Sequence, residues 1–190
     1  MKKFSIRKMV LSAMFLSLGL ILPLFTGQVP YIGKMLLPMH IPVLLCGLIC
    51  GPICGAIVGL IVPILRSAIF GMPVMFPTAI AMMFELAAYG GIVGLMYHKS
   101  KWKCIKALYR CMLIAMISGR VVWGVAMVIL MGISGNTFTL NAFLAGAFLN
   151  AIPGIIAQLT IIPAIMVALN KAKLVPFTNK NADEDNVYVR

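Results

Sequence analysis

The chain has 190 residues, 62% of them hydrophobic and 11% charged, with a mean hydropathy of +1.06 and a formal net charge of +12. Soluble domains average about 45–50% apolar and about 25% charged residues, so this composition excludes a soluble domain with a large core and indicates an integral membrane protein. The basic residues fall in clusters between apolar runs and form no stripe, as in the loops of a polytopic membrane protein and unlike a nucleic-acid-binding surface.

The opening MKKFSIRK leads into an apolar run over 6–26 with no small-residue cleavage site, which predicts a retained first helix. The next apolar stretch, 41–70, reads IPVLLCGLICGPICGAIVGLIVPILRSAIF. As one straight helix it would be about 45 Å long at 1.5 Å per residue, too long for a hydrocarbon core of about 30 Å. Cys46, Cys50 and Cys54 share one helix face there and read as small buried residues, without a metal or a disulfide. Further spans are predicted over 78–97, 107–132 and 141–170.

Charge parity settles the count. Lys2, Lys3, Arg7 and Lys8 mark a cytoplasmic N-terminus, and Lys99, Lys101, Lys103, Lys106 and Arg110 mark a later cytoplasmic loop. An even number of crossings must separate them, so 41–70 contributes none or two, and two short spans, 41–51 and 53–70, broken at Gly51-Pro52, fit best. The fold class is therefore all-α integral membrane, with six transmembrane helices and both termini cytoplasmic. Residues 1–175 form the membrane domain and 176–190 a polar cytoplasmic tail. The loops near 27–40, 71–77 and 133–140 face outward, with Lys34 their only Lys or Arg.

Charged groups are costly within a bilayer and generally face a cavity or a partner. The only acid outside the tail is Glu85, in the segment TAIAMMFELAAYGGIVGLM. With Arg66, Tyr89, Arg120, Trp123 and Asn150 it converges on the outward half of the predicted bundle, at a depth of roughly 10 Å for Glu85. Tyr89 lies at i+4 from Glu85, on the same face. Gln158 belongs to the same intramembrane inventory, and His40 falls in the outer loop LPMHIPV. Simpler roles stand beside these: Arg66 can snorkel to the interface, Glu85 and Arg120 can pair structurally, Asn150 can join helices, and Trp123 can be core. His98 reads as a solvated cap. A mostly apolar pocket with a few converging polar groups nevertheless describes a small-molecule site.

No HExxH, paired intramembrane aspartates, GxSxG or Walker A loop is present. No cofactor or metal is indicated, and the chain lacks its own ATPase motif. Six helices without an inverted repeat make a poor stand-alone alternating-access transporter. A membrane binding protein that draws its energy from a partner fits best. An intramembrane enzyme using Glu85 as general base and a structural subunit without a ligand are the alternatives.

Over roughly residues 4–172 the chain resembles the substrate-binding S components of bacterial energy-coupling factor (ECF) vitamin transporters. The likeness rests on KMVLSAMFLSLG, PMHIPVLLCGLICGPICGAIVGLIVPILRSAIFGMP and FPTAIAMMFELAAYG. It implies a multi-pass protein of the bacterial cell membrane that binds a water-soluble vitamin. It also implies a transmembrane T component and two cytosolic ATPases as partners, with the subunit toppling in the membrane to carry its ligand inward. Small residues four apart on the first helix dock the T component in that family; the matching positions are Ala13 and Ser17, where the family has alanine at both. Its sites lie in the outer halves of helices four to six, under lids formed by the loops after helices one and three. The resemblance thus implies Glu85, Tyr89, Trp123 and Asn150 as substrate-binding residues, and Arg66 and Arg120 are the side chains available to a substrate carboxylate. His40 and Gly71-Met72-Pro73 fall in the lids. Pantothenate is the first candidate ligand; a pyridine vitamin or riboflavin remains open.

Overall fold

The apolar run of residues 41–70 folds back on itself at Gly51. The computed structural model describes residues 6–25, 37–100, 104–135, 151–172 and 174–175, and in it α2 covers His40–Cys50 and α3 covers Pro52–Phe70. Gly51 joins them at φ 107°, a conformation that glycine tolerates and residues with a Cβ rarely adopt. Pro52 opens α3, where its missing N–H goes unmissed. The reversal is tight. A Cβ on Gly55 would lie 2.6 Å from the Cα of Gly47, whereas a straight helix would separate those positions by about 12 Å.

Four more helices complete the described structure. α1 spans Ile6–Ile21 and runs into a 3-10 turn at Leu22–Leu24. A π turn at Met75–Ala79 leads into α4, Ile80–Lys99. α5 spans Ile105–Ile133 and α6 spans Ile152–Lys171. All six helices fall within two residues of their predicted starts except α6, and there residues 141–150 lie outside the described residues, as does the tail. The first predicted span runs to residue 26, but its α-helix closes at Ile21, just before Pro23. Among the described residues, five helical segments are long and apolar enough to cross a membrane: Ile6–Leu24, Pro52–Phe70, Met75–Lys99, Ile105–Ile133 and Ile152–Lys171. α2, with 11 residues, is shorter, about 16 Å.

α4 is the central element, packed against α2, α3 and α5. Its seams with α2 and α3 are made of glycine. A Cβ on Gly90 would collide with the carbonyl of Gly55, one on Gly59 with the carbonyl of Leu86, and one on Gly47 with the carbonyl of Gly90. On Gly94 it would come within 2.8 Å of Pro52. These pairings run in opposite chain directions, so α3 and α4 are antiparallel. In a bilayer no hydrophobic force draws helices together, and association relies on such close backbone approach. α1 packs on α2 and α3.

Two apolar clusters result. The larger joins α2, α4, α5 and α6 through residues such as Leu44, Leu48, Val93, Leu108, Met112 and Ile162. The smaller fills the space between α1, α2 and α3 with Val43, Val58 and Val62, and includes Cys46, Cys50 and Cys54. All three cysteines are buried and free, and the Cys46 thiol lies 3.8 Å from the Ser12 hydroxyl. The outer faces are as apolar as the core: Leu113, Ile117, Val121, Val125 and Ile129 form an exposed stripe along α5. Such a surface suits lipid.

Adjacent glycines on α4 offer a direct test of the seam. Gly90 meets backbone, whereas a Cβ on Gly91 would touch only the Ala56 Cβ at 3.6 Å, an ordinary contact. Gly90→Ala should therefore cost about 1–3 kcal/mol, the usual range for overpacking. Gly91→Ala should be neutral or stabilising by up to about 1 kcal/mol through helix propensity. Apparent thermal midpoints of the two purified variants decide it, and equal midpoints would refute the backbone contact.

Candidate functional site

Around the larger core, four helices each carry a column of buried apolar side chains that ends in a polar one. On α2, Leu48, Leu44 and Ile41 lead to His40. On α4, Tyr97, Val93 and Tyr89 lead to Glu85. On α5, Leu108, Met112 and Met116 lead to Arg120, and on α6, Met166 and Ile162 lead to Gln158. The spacing of three or four residues keeps each α4, α5 and α6 column on one helix face. All four terminal residues are themselves buried: His40 is 0% exposed, Glu85 and Gln158 1%, and Arg120 4%.

Three of them meet. Glu85 Oε1 accepts from Arg120 Nη1 at 2.9 Å and lies 3.4 Å from His40 Nε2. An ionised carboxylate only accepts hydrogen bonds, so the network places the His40 proton on Nε2. The His40 ring stands edge-on to Tyr89, with centroids 5.0 Å apart and planes at 89°. Tyr89 fits because α5 has no side chain opposite it: a Cβ on Gly119 would lie 2.6 Å from two atoms of the ring. Glu85 and Arg120 neutralise each other, which offsets part of the cost of holding two charges away from water.

The cluster lies away from the basic helix ends. Glu85 stands about 21 Å along α4 from Lys99, and Arg120 about 21 Å along α5 from Lys106. Among the sequence candidates, then, the fold brings Glu85, Tyr89, Arg120 and His40 together. His40 departs from its expected place in an outer loop. It is the first residue of α2 and fully buried, because Glu85 and Tyr89 take its imidazole. Trp123 follows Arg120 by three residues on α5 and is half-buried. Asn150 lies outside the described residues.

Arg66 makes its contacts at the end of α1. Its Nη1 donates to the Leu20 carbonyl at 2.9 Å, and its guanidinium lies 5.4 Å from the Phe70 ring centroid. Gly71 follows at φ 69° and terminates α3 in the left-handed conformation. Ala13 and Ser17 are exposed on the outer face of α1. Two residues escaped selection from the sequence. Gly119 gave no signal among many glycines, and Gln158 was visible in the run IIAQLTII as an isolated amide but had no charge to single it out.

Among the described residues no group of three or more His, Cys, Asp or Glu is placed to hold a metal. The arrangement is suited to binding: a fixed charge pair, an oriented imidazole and a phenol at the end of an apolar core. The family model for the ECF transporter substrate-specific component matches residues 7–166. Comparison with curated proteins and with solved structures gave no match. With most of its length covered by that family model and five helices fit to cross a membrane, the chain belongs to the substrate-specific components of ECF transporters, a family of multi-pass membrane proteins.

Proposed function

We propose that this chain is the high-affinity membrane binding subunit for uptake of a water-soluble vitamin, energised by a transmembrane T component and two cytosolic ATPases. The observation that carries this reading is the buried cluster of Glu85, Arg120, His40 and Tyr89, contributed by three helices at one end of an apolar core. Trp123 and Asn150 complete the substrate-binding set. Pantothenate is the first candidate, since its single carboxylate suits a guanidinium and its hydroxyl and amide groups suit imidazole, phenol and amide side chains.

Orientation follows from the positive-inside rule. Arg7, Lys8, Lys99, Lys106, Arg110 and Lys171 mark cytoplasmic ends. The α2–α3 hairpin then supplies two of six crossings, and the cluster lies in the outward half of the membrane domain. α1 offers its exposed face, with Ala13 and Ser17, to the T component, where small residues let another helix approach closely.

Three tests follow from this reading. In a background without native cysteines, a cysteine at Ser134 should react with an impermeant reagent from outside. One at Ser100 should react only after permeabilisation, and the reverse pattern would overturn the orientation. Ala13→Trp should abolish uptake and spare ligand binding by the isolated subunit; loss of both would place that face inside the subunit. Glu85→Gln should strand the Arg120 cation and cost about 3–5 kcal/mol of stability. It should also reduce retention of the co-purifying vitamin, read by mass spectrometry, by about ten- to hundredfold in affinity. Adding Arg120→Gln should recover the midpoint and not the affinity. Recovery of both would make the pair purely structural.

A further inference from the structure

Every described polar side-chain atom that is buried and lacks a partner can be named: His40 Nδ1, Tyr97 OH, Arg120 Nε and Nη2, and Gln158 Nε2 and Oε1. Five of these six atoms belong to residues that end the polar-terminated columns. An unsatisfied polar group is costly anywhere in a protein interior and has no water to turn to within a bilayer. Random imperfections would be scattered through the fold. These are gathered on the helices that enclose one core.

The unpaired atoms of Arg120 form a pattern. Glu85 occupies Nη1. The N–H bonds of Nε and Nη2 project side by side from the opposite edge of the guanidinium plane, and that edge matches the two oxygens of a carboxylate. Glu85 takes Nη1 and leaves Nε and Nη2 without a hydrogen-bond partner. Charge points the same way. Within the cluster Glu85 balances Arg120, while the other buried cation, Arg66, is turned to the Leu20 carbonyl. The donors left on Arg120 suit an anionic acceptor, whereas a cation would meet the guanidinium itself.

Gln158 supplies the second element. It is on the face of α6 that carries Ile155 and Ile162 into the shared core, and α6 packs against α2 and α5, the helices of His40 and Arg120. Neither end of its amide is bonded. A primary amide offers donor and acceptor in one plane, and its natural complement is another amide-type group, such as a carboxamide, lactam or ureido unit. With Nε2 of His40 committed to Glu85, Nδ1 can accept from a ligand hydroxyl or N–H.

We propose that Gln158 and the free Nε/Nη2 edge of Arg120 are the specificity determinants of the site, and that they select a monocarboxylate bearing an amide-type group. This rests on the vitamin-binding reading above. Purified full-length protein in lipid nanodiscs is titrated calorimetrically with two matched pairs, pantothenate with panthenol and biotin with biotinamide, in which only the carboxylate is lost, and with riboflavin, thiamine and pyridoxine. One acid should bind, and its neutral twin at least about tenfold more weakly, because a charge-assisted contact is removed. Gln158→Leu should weaken that acid by about three- to tenfold, the worth of a neutral hydrogen bond. It should also raise the thermal midpoint of the ligand-free protein, since it deletes an unpaired buried amide. A structural role for Gln158 predicts the opposite pair of results, a lower midpoint with unchanged affinity, and that outcome overturns its assignment. Equal binding of acid and neutral twin, or binding confined to riboflavin, thiamine or pyridoxine, overturns the carboxylate assignment while the vitamin-binding reading stands. Failure of every one of these vitamins to bind would sink that reading, and this proposal with it.

Discussion

The close approach of α4 to α2 and α3 is the constraint on which the rest depends. Gly47, Gly55, Gly59, Gly90 and Gly94 bring main chain against main chain where any side chain would hold the helices apart. Because α4 is seated this deeply, the face adjoining its glycine seam is the one that meets α5, and the residues along that face lie in the middle of the protein. Glu85 and Tyr89 are on that face. Their burial follows from glycines elsewhere on the same helix.

Once α4 is central, electrostatics leaves little freedom. A carboxylate at that depth needs a cation and a further donor, and α5 and α2 supply Arg120 and His40. Gly119 keeps α5 bare beside Arg120 so that Tyr89 can lie between the helices. Glu85 is thus held by side chains of two other helices, Arg120 of α5 and His40 of α2. Pre-organisation of this kind matters for recognition, because a group already locked in place loses little freedom when it is engaged.

Much of this was legible in the chain itself. Apolar run lengths and the Gly51-Pro52 break located the helices to within a few residues, because those signals are local. The isolated acid at Glu85 and its companion Tyr89 at i+4 were also local, and the pairing with Arg120 could be anticipated from depth alone. What could not be read were lateral relations between helices. Nothing in LPMHIPV says that His40 starts a helix and turns inward, since its partners are more than forty residues away. Arg66 was grouped with Arg120 in the outward half of the bundle, yet the fold gives it the Leu20 carbonyl and the Phe70 ring. The importance of Gly119 depends entirely on which ring lies opposite it. Gln158 needed a census of partners, which only coordinates provide.

Ser17 shows how a polar substitution can be made invisible to the surroundings. Its hydroxyl donates to the Ala13 carbonyl at 3.0 Å, one turn back on the same helix, so its one donor is already spent within α1. To a lipid chain or to a facing helix, the exposed strip of Ala13 and Ser17 therefore offers a shallow, nearly apolar groove with no proton to share. A neighbour can leave that strip and another can take its place without either exchange breaking a hydrogen bond.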